Sequence, residues 1–356
     1  MQKEITEDSS SDVQNGPRNF WGVLGKDGKL SDLPLAVKAV IGVLFIALLV
    51  LGISAVYGTV PAGEDPGAFL DYPSEWDFRW EVIKAIDGVV DWVVIHWETF
   101  FIGIRTVVLG ILIPFRNFLL WLPWWLVIIG TGLVSWRVTG LKFGIISVIF
   151  LSLMSLMGLI DFLMLTLAIT LTSTLLCVVI GLPVGIAAAK SNRFDSILRP
   201  ILDGMQTMPS FVYLIPALML FGLGMTPAVM ATLIYAIPPI VRLTNLGIRQ
   251  VDASVVEAAR AFGATSWQLL FKVQIPLALP TVLAGLNQTV MMALAMVVLA
   301  SMIGAGGLGV EVLNGLARVE PGRGIVAGTA IVFTAIILDR VSQGLAKGRQ
   351  TQRVIA

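Results

Sequence analysis

Apolar runs about as long as a bilayer is thick recur through this chain, and no other feature restricts its fold so tightly. Residues 35–57, LAVKAVIGVLFIALLVLGISAVY, would cross a hydrocarbon core of about 30 Å at about 1.5 Å per residue. Lipid offers no partner to a peptide group, so such runs must satisfy their own backbone, and a helix does so within one segment. Composition agrees: 56% of residues are apolar and only 13% charged, and the mean hydropathy is +0.88, more than a soluble core of this length needs. The expected fold is all-α, a polytopic transmembrane helical bundle.

After 35–57 the character changes. Pro61, Pro66 and Pro73 mark a loop, and WEVIKAIDGVVDWVVIHW carries Asp87 and Asp91 four residues apart, opposite Val and Ile, the pattern of an interfacial amphipathic helix. Segment 101–120, FIGIRTVVLGILIPFRNFLL, has nearly the length of a span. Arg105, Arg116 and Pro114 make it equally readable as an interfacial or re-entrant helix. Runs 122–138, 141–159, 163–189, 208–224, 227–246, 279–303 and 323–340 are all apolar enough to cross. With 35–57 included and 101–120 left out, eight spans are predicted.

These runs imply a polar tail over 1–34, a first transmembrane helix over 35–57, and an extracytoplasmic stretch over 58–120. A transmembrane core over 121–341, including the connection 247–280, and a cytoplasmic tail over 342–356 complete the chain. The opening MQKEITEDSS is acidic and polar, unlike the basic start of a cleaved signal peptide. If the spans from 122 onward alternate, Arg137 and Lys142, then Lys190, Arg193 and Arg199, then Arg242, Arg249, Arg260 and Lys272, and finally Lys347, Arg349 and Arg353, all fall on one side. The Lys/Arg bias makes that side cytoplasmic. A net charge of +1 gives no sign of nucleic-acid binding, and the single cysteine, Cys177, excludes an intrachain disulfide.

The most informative polar segment is the connection 247–280, GIRQVDASVVEAARAFGATSWQLLFKVQIPLALP. Ser254 and Glu257 have capping-box spacing for a short helix, which Ala258 and Ala259 continue and Gly263 suits as a stop. Thr265 and Gln268 repeat the spacing, and Pro276 is expected to stop or bend the second helix. This helix, glycine turn, helix unit fits a docking knob in which Phe262, Trp267 and Phe271 fill a partner's pocket. It also fits a loop folded onto its own spans.

EAARAFG at Glu257 to Gly263, with VQIP at Val273 to Pro276, resembles the coupling-loop signature of permease subunits of binding-protein-dependent ABC importers. Glu257, Ala258, Ala259, Gly263 and Pro276 match it directly, and Val273 and Ile275 are conservative replacements. DGMQTMPSFVYLIPALMLFGLG, IYAIPPIVRLTNLGIRQV and NQTVMMALAMVVLASMIGAGGLG narrow the resemblance to the glycine betaine/proline betaine permeases of osmoprotectant importers, over roughly residues 80–345. The resemblance implies a type I ABC importer permease fold and a place in a bacterial cell membrane. The implied partners are a second permease copy, two nucleotide-binding ATPase subunits that hold the ATP and Mg, and an extracytoplasmic substrate-binding protein. The Glu257 loop would dock in a groove of the ATPase, and this chain would be non-catalytic, with no cofactor of its own.

Gln206, Asn245, Asn287 and Gln288 are candidates to line a translocation path, because lipid would leave their amides unsatisfied; interhelical hydrogen bonding is the competing role for each. Pro209, Pro216, Pro227, Pro238 and Pro239 could kink helices around such a path. IGAGGLG at 303–309 lacks the Lys-Ser/Thr ending and preceding strand of a phosphate loop and reads as a tight turn. Trp121, Trp124, Trp125 and Trp136 fit an interfacial belt better than an ammonium cage. His96, the only histidine, has no metal-ligand spacing around it, and Asp161 and Asp339 bound apolar runs. Lipid contact is expected for the membrane segments and the charged tail. Two other functions fit the composition. A secondary transporter would need a midplane ion site, and a scaffold or osmosensor would leave the 247–280 unit without a purpose.

Overall fold

The computed structural model describes residues 35–58 and 78–355, with side chains over 40–52 and 78–344. The predicted tail 1–34 and the loop prolines Pro61, Pro66 and Pro73 lie outside the described residues. So do the side chains of Lys38, Lys347, Arg349 and Arg353. The chain divides into two units at Asp87/Gly88. In the first, α1 (Leu35–Gly58) exposes large apolar side chains along its described stretch, Val43 and Phe45 among them. The helix α2 (Arg79–His96) crosses the division and buries no residue.

The second unit carries the remaining helices: α3 (Glu98–Trp121), α4 (Trp124–Thr139), α5 (Leu141–Leu156), α6 (Ile160–Lys190), α7 (Asn192–Thr207), α8 (Leu214–Phe221), α9 (Met225–Arg249), α10 (Ala253–Ala261), α11 (Ser266–Gln268), α12 (Ile275–Ala300), α13 (Leu308–Ala317) and α14 (Pro321–Ile355). Among the described residues five helical stretches are long and apolar enough to cross a membrane: Glu98–Trp121, Ile160–Lys190, Met225–Arg249, Ser266–Ile303 and Pro321–Gly344. A sixth crossing is possible if the bent pair Asn192–Thr207 and Ser210–Phe221 makes one. The expectation of eight spans is therefore corrected to five, or at most six, among the described residues.

For three of the runs the cause is physical. Runs 122–138 and 141–159 form helices of 16 residues each, about 24 Å long and short of a hydrocarbon core of about 30 Å. Run 208–224 breaks by 106° from the helix before it, because Pro209 forces Met208 into extended backbone (φ −66°, ψ 133°). The 24-residue helix α1 has described side chains only over Val40–Gly52 and is therefore not counted among these crossings. Segment 101–120, excluded from the eight, lies in α3, which has crossing length; Pro114 sits inside that helix without ending it.

The packing centre is α6 against α9 and α9 against α12. Lipid tails are as apolar as leucine, so helices gain little by burying large side chains against one another and associate instead through small residues that allow close approach. Gly185 shows the limit: a Cβ there would lie 2.7 Å from Thr244 Cβ and 2.8 Å from the Val241 carbonyl oxygen. Pro238 and Pro239 are buried within α9, which continues through them. The α4–α5 turn meets the far part of α14, where Thr139 Oγ1 donates to the Arg340 carbonyl at 3.3 Å. That contact puts the α4–α5 turn, which Arg137 and Lys142 flank, beside Arg340.

A capped turn beyond the spans and the polar contacts behind it

The 247–280 connection folds as a helix, turn, helix unit. Its first helix, α10, is capped by Asp252 and not by Ser254 as the spacing suggests: the Asp252 carboxylate accepts from the Ser254 backbone N–H at 2.9 Å. A carboxylate is the stronger acceptor and sits well at the positive end of a helix. The same hydrogen bond holds the Asp252 carboxyl below its ordinary pKa. Glu257 is exposed and makes no hydrogen bond or ion pair among the described residues, so it does not reach back to the cap.

The end of α10 is a Schellman stop. Gly263 N–H donates to the Arg260 carbonyl at 2.9 Å and Ala264 N–H to the Ala259 carbonyl at 3.1 Å. Gly263 takes φ +79°, where a side chain is strained and glycine is not. Thr265 and Gln268 then form the predicted capping box: Gln268 N–H donates to Thr265 Oγ1 at 3.3 Å, and Thr265 N–H to Gln268 Oε1 at 3.0 Å. Pro276 neither stops nor sharply bends the second helix. Between α11 and α12 the backbone passes through a π-helical stretch, Leu269–Gln274, and helix runs on from Ser266 to Ile303. Pro276 has no N–H to donate and its ring crowds the carbonyl four residues back; widening the preceding turn relieves both problems.

The unit is anchored at its base and bare at its tip. Leu270 is buried with Ile248 and Ala278 at the junction with α9 and α12. At the tip Phe262 is 93% exposed and Trp267 68%, with Trp267 and Phe271 rings 4.3 Å apart. Ala258 is exposed and Ala259 half-buried. Aromatic groups this exposed beyond the spans are not packed on their own helices, which removes the folded-loop alternative for Phe262 and Trp267.

Behind the turn lies a polar network that no sequence pattern reveals. Asp195, 5% exposed, accepts from Arg199 Nη2 at 2.5 Å and from Asn245 Nδ2 at 2.7 Å, and lies 3.5 Å from Arg249 Nη2. Arg249 also donates to Asn245 Oδ1 at 2.8 Å, to Asn192 Oδ1 at 2.7 Å and to the Ala188 carbonyl at 2.7 Å. One arginine thus ties the ends of α6, α7 and α9 together. Arg242 pairs with Asp203 at 2.5 Å beside it. Asp195 and Asn245 are fifty residues apart in sequence, and no local spacing connects them.

The four amide candidates divide. Asn245 belongs to the Asp195 network. Asn287 on α12 donates to Asp339 Oδ1 at 2.7 Å and accepts from Ser342 Oγ, and Gln343 Nε2 also donates to Asp339 at 2.7 Å, so Asn287 joins α12 to α14. Both amides serve interhelical hydrogen bonds, and Asp339 is part of one. Gln206 and Gln288 make no hydrogen bond of this kind among the described residues; both are exposed on this chain. His96 stacks on Trp92 at 4.7 Å and lies 2.9 Å from its carbonyl oxygen, a packing role. IGAGGLG makes a turn, with Gly304, Gly306 and Gly307 at positive φ and Leu308 N–H donating to Thr166 Oγ1 at 2.8 Å.

Crossing-length helices meeting at a close-packed centre, with a capped and anchored turn projecting beyond one end, define the scaffold of a multi-pass membrane permease. The chain belongs to the family of the binding-protein-dependent transport system inner membrane component, whose pattern matches residues 181–348. It is 49% identical over 263 residues to the glycine betaine/proline betaine transport system permease protein ProW of Escherichia coli (strain K12), covering 74% of each chain. It is also 49% identical over 276 residues to the glycine betaine/carnitine transport permease protein GbuB of Listeria monocytogenes (serotype 1/2a, strain 10403S), covering 76% of this chain and 95% of that one. Among solved structures, the MetNI methionine ABC transporter in inward-facing conformations (CY5 native crystal form) aligns with a TM-score of 0.50 at 22% identity. The alignment covers 53% of this chain and 95% of that one and supports a shared fold.

Proposed function

We propose that this chain is the membrane-spanning permease subunit of an ATP-driven importer of quaternary-ammonium osmoprotectants, glycine betaine and proline betaine among them, in a bacterial inner membrane. The observation that carries this reading is the turn at Gly263, exposed and aromatic at its tip and rooted through Leu270 in the bundle. Such a turn suits docking into a groove of a separate nucleotide-binding subunit that holds ATP and Mg. Ala258 and Ala259 permit close helix approach, Phe262 and Trp267 fill the groove, and the free carboxylate of Glu257 pairs with a basic group of the ATPase. Pro276 and the π-helical stretch before it pass the movement into α12. Two permease copies, two ATPase subunits and an extracytoplasmic substrate-binding protein complete the machine, and ATP-driven closure moves the permeases between inward- and outward-facing states. The similarity to the betaine permeases supports the substrate class.

Copurification with an ATPase, followed by reconstitution with the binding protein, tests the reading. Hydrolysis stimulated by the betaine-loaded binding protein, with betaine accumulating inside the vesicles, is the expected result. Betaine uptake driven by an ion gradient with no ATPase present would replace it with a secondary transporter.

A further inference from the structure

A cleft of about 510 Å3 opens between α3 and the α8–α9 turn, lined by Glu98, Phe101 and Arg105 on one wall and Phe221 and Gly222 on the other. It lies at the opposite end of α9 from the coupling turn, about 37 Å away along that 25-residue helix. If the turn is cytoplasmic, the cleft faces the extracytoplasmic side. Its size is within the range of about 300–1,000 Å3 usual for small-molecule sites.

Three features of its lining converge. Glu98 and Arg105 are seven residues apart on one helix, about 10 Å along its axis, and therefore share a face. Neither makes a hydrogen bond or ion pair among the described residues, although α3 has the length and apolarity of a membrane span. Ionisable groups on a spanning helix that face a cavity instead of lipid mark a place for a charged ligand, and both of these line the cleft. Between them stands Phe101, meeting Phe221 edge to face at 5.7 Å. Helical side chains lean toward the N-terminus, so the guanidinium of Arg105 leans toward Phe101 and Glu98. The cleft thus offers a carboxylate, aromatic surface and a guanidinium in succession.

We propose that this cleft is an extracytoplasmic loading subsite for a zwitterion whose ammonium end lies against Glu98 and the phenyl rings and whose anionic end is held by Arg105. A methylated ammonium has no N–H to donate, so aromatic surface and a nearby carboxylate recognise it. A carboxylate suits the fork of an arginine. The assignment to a solute being imported rests on the function proposed above. The headgroup of phosphatidylethanolamine carries the same two charges, and the experiment separates the two sources.

The test is equilibrium binding of labelled glycine betaine to the complete permease–ATPase complex in nanodiscs, without the binding protein. Glu98→Gln and Arg105→Gln are each expected to weaken binding at least about fivefold, and the exchange Glu98→Arg with Arg105→Glu to recover much of the loss. Choline, which lacks the carboxylate, is expected to respond to Glu98→Gln and not to Arg105→Gln. Binding unchanged in both single variants overturns the subsite. No betaine binding in either lipid, with phosphatidylethanolamine retained by the wild-type complex and lost from both variants, gives the cleft to lipid and overturns the solute assignment. Uptake by the wild-type complex is measured in parallel. No betaine uptake with the binding protein present defeats the functional reading itself, whereas normal uptake with unchanged variants defeats the subsite alone.

Discussion

The two ends of α9 handle charge in opposite ways. At the Arg249 end, Asp195 is buried and the charged groups around it are partnered, with Arg249 alone tying three helices together. At the Gly224 end, Glu98 and Arg105 face a cleft and have no partner among the described residues. Paired charges at a helix end fix geometry: each donor has its acceptor, and moving one helix means breaking several contacts at once. Unpaired charges contribute little to holding the fold, which leaves them available to something that arrives. The molecule keeps one end rigid beneath the coupling turn and the other open.

Removing Asp195 attacks that contrast most strongly. Asp195→Ala leaves Arg199, Arg249 and Asn245 without their shared acceptor and should cost about 3 kcal/mol, read as a lower unfolding temperature of the detergent-solubilised protein. A loss below about 0.5 kcal/mol would mean that the network is solvated and holds nothing. Gly263→Ala puts a Cβ on a left-handed residue and should cost about 1 kcal/mol locally, seen as faster amide exchange over α10 with the spans unaffected. Glu98→Gln should change stability by less than about 0.5 kcal/mol, because no partner is lost.

The mildest test is titration of the α10 cap. The folded pKa of Asp252 is depressed, so its stabilisation is fully present above the ordinary carboxylate value and is lost as pH falls through the lower folded value. Protection of the Ser254 amide should therefore persist at neutral pH and fade only in acid. Asp252→Asn should flatten that dependence, and a pH response that survives the substitution would move the effect elsewhere.

What the sequence discloses depends on how local each cause is. The stop at Gly263 and the Thr265–Gln268 capping box involve neighbours within a few residues, and both are as expected. The α10 cap falls to Asp252, because two suitable acceptors stand two residues apart and spacing does not rank them. Hydropathy locates the apolar segments but overcounts the crossings. Apolarity alone cannot show that Pro209 turns the chain by 106°, nor that runs 122–138 and 141–159 form helices of only 16 residues each, short of a crossing. Asp195 is invisible to local patterns because its partner Asn245 is fifty residues away. For Asn245 and Asn287 residue type allows either a path or interhelical bonds, and only the packed helices show that both make the bonds.

The coupling role of the Gly263 turn is tested most directly by betaine imported per ATP hydrolysed in vesicles carrying Gly263→Pro. Proline holds φ near −65° and cannot take the +79° of this position, so the docking helix loses its stop while the spans remain. The expected result is hydrolysis that no longer drives uptake, and Glu257→Lys should act in the same direction. Uptake per ATP equal to wild type, with the ATPase subunit still bound, would contradict the role assigned to the turn.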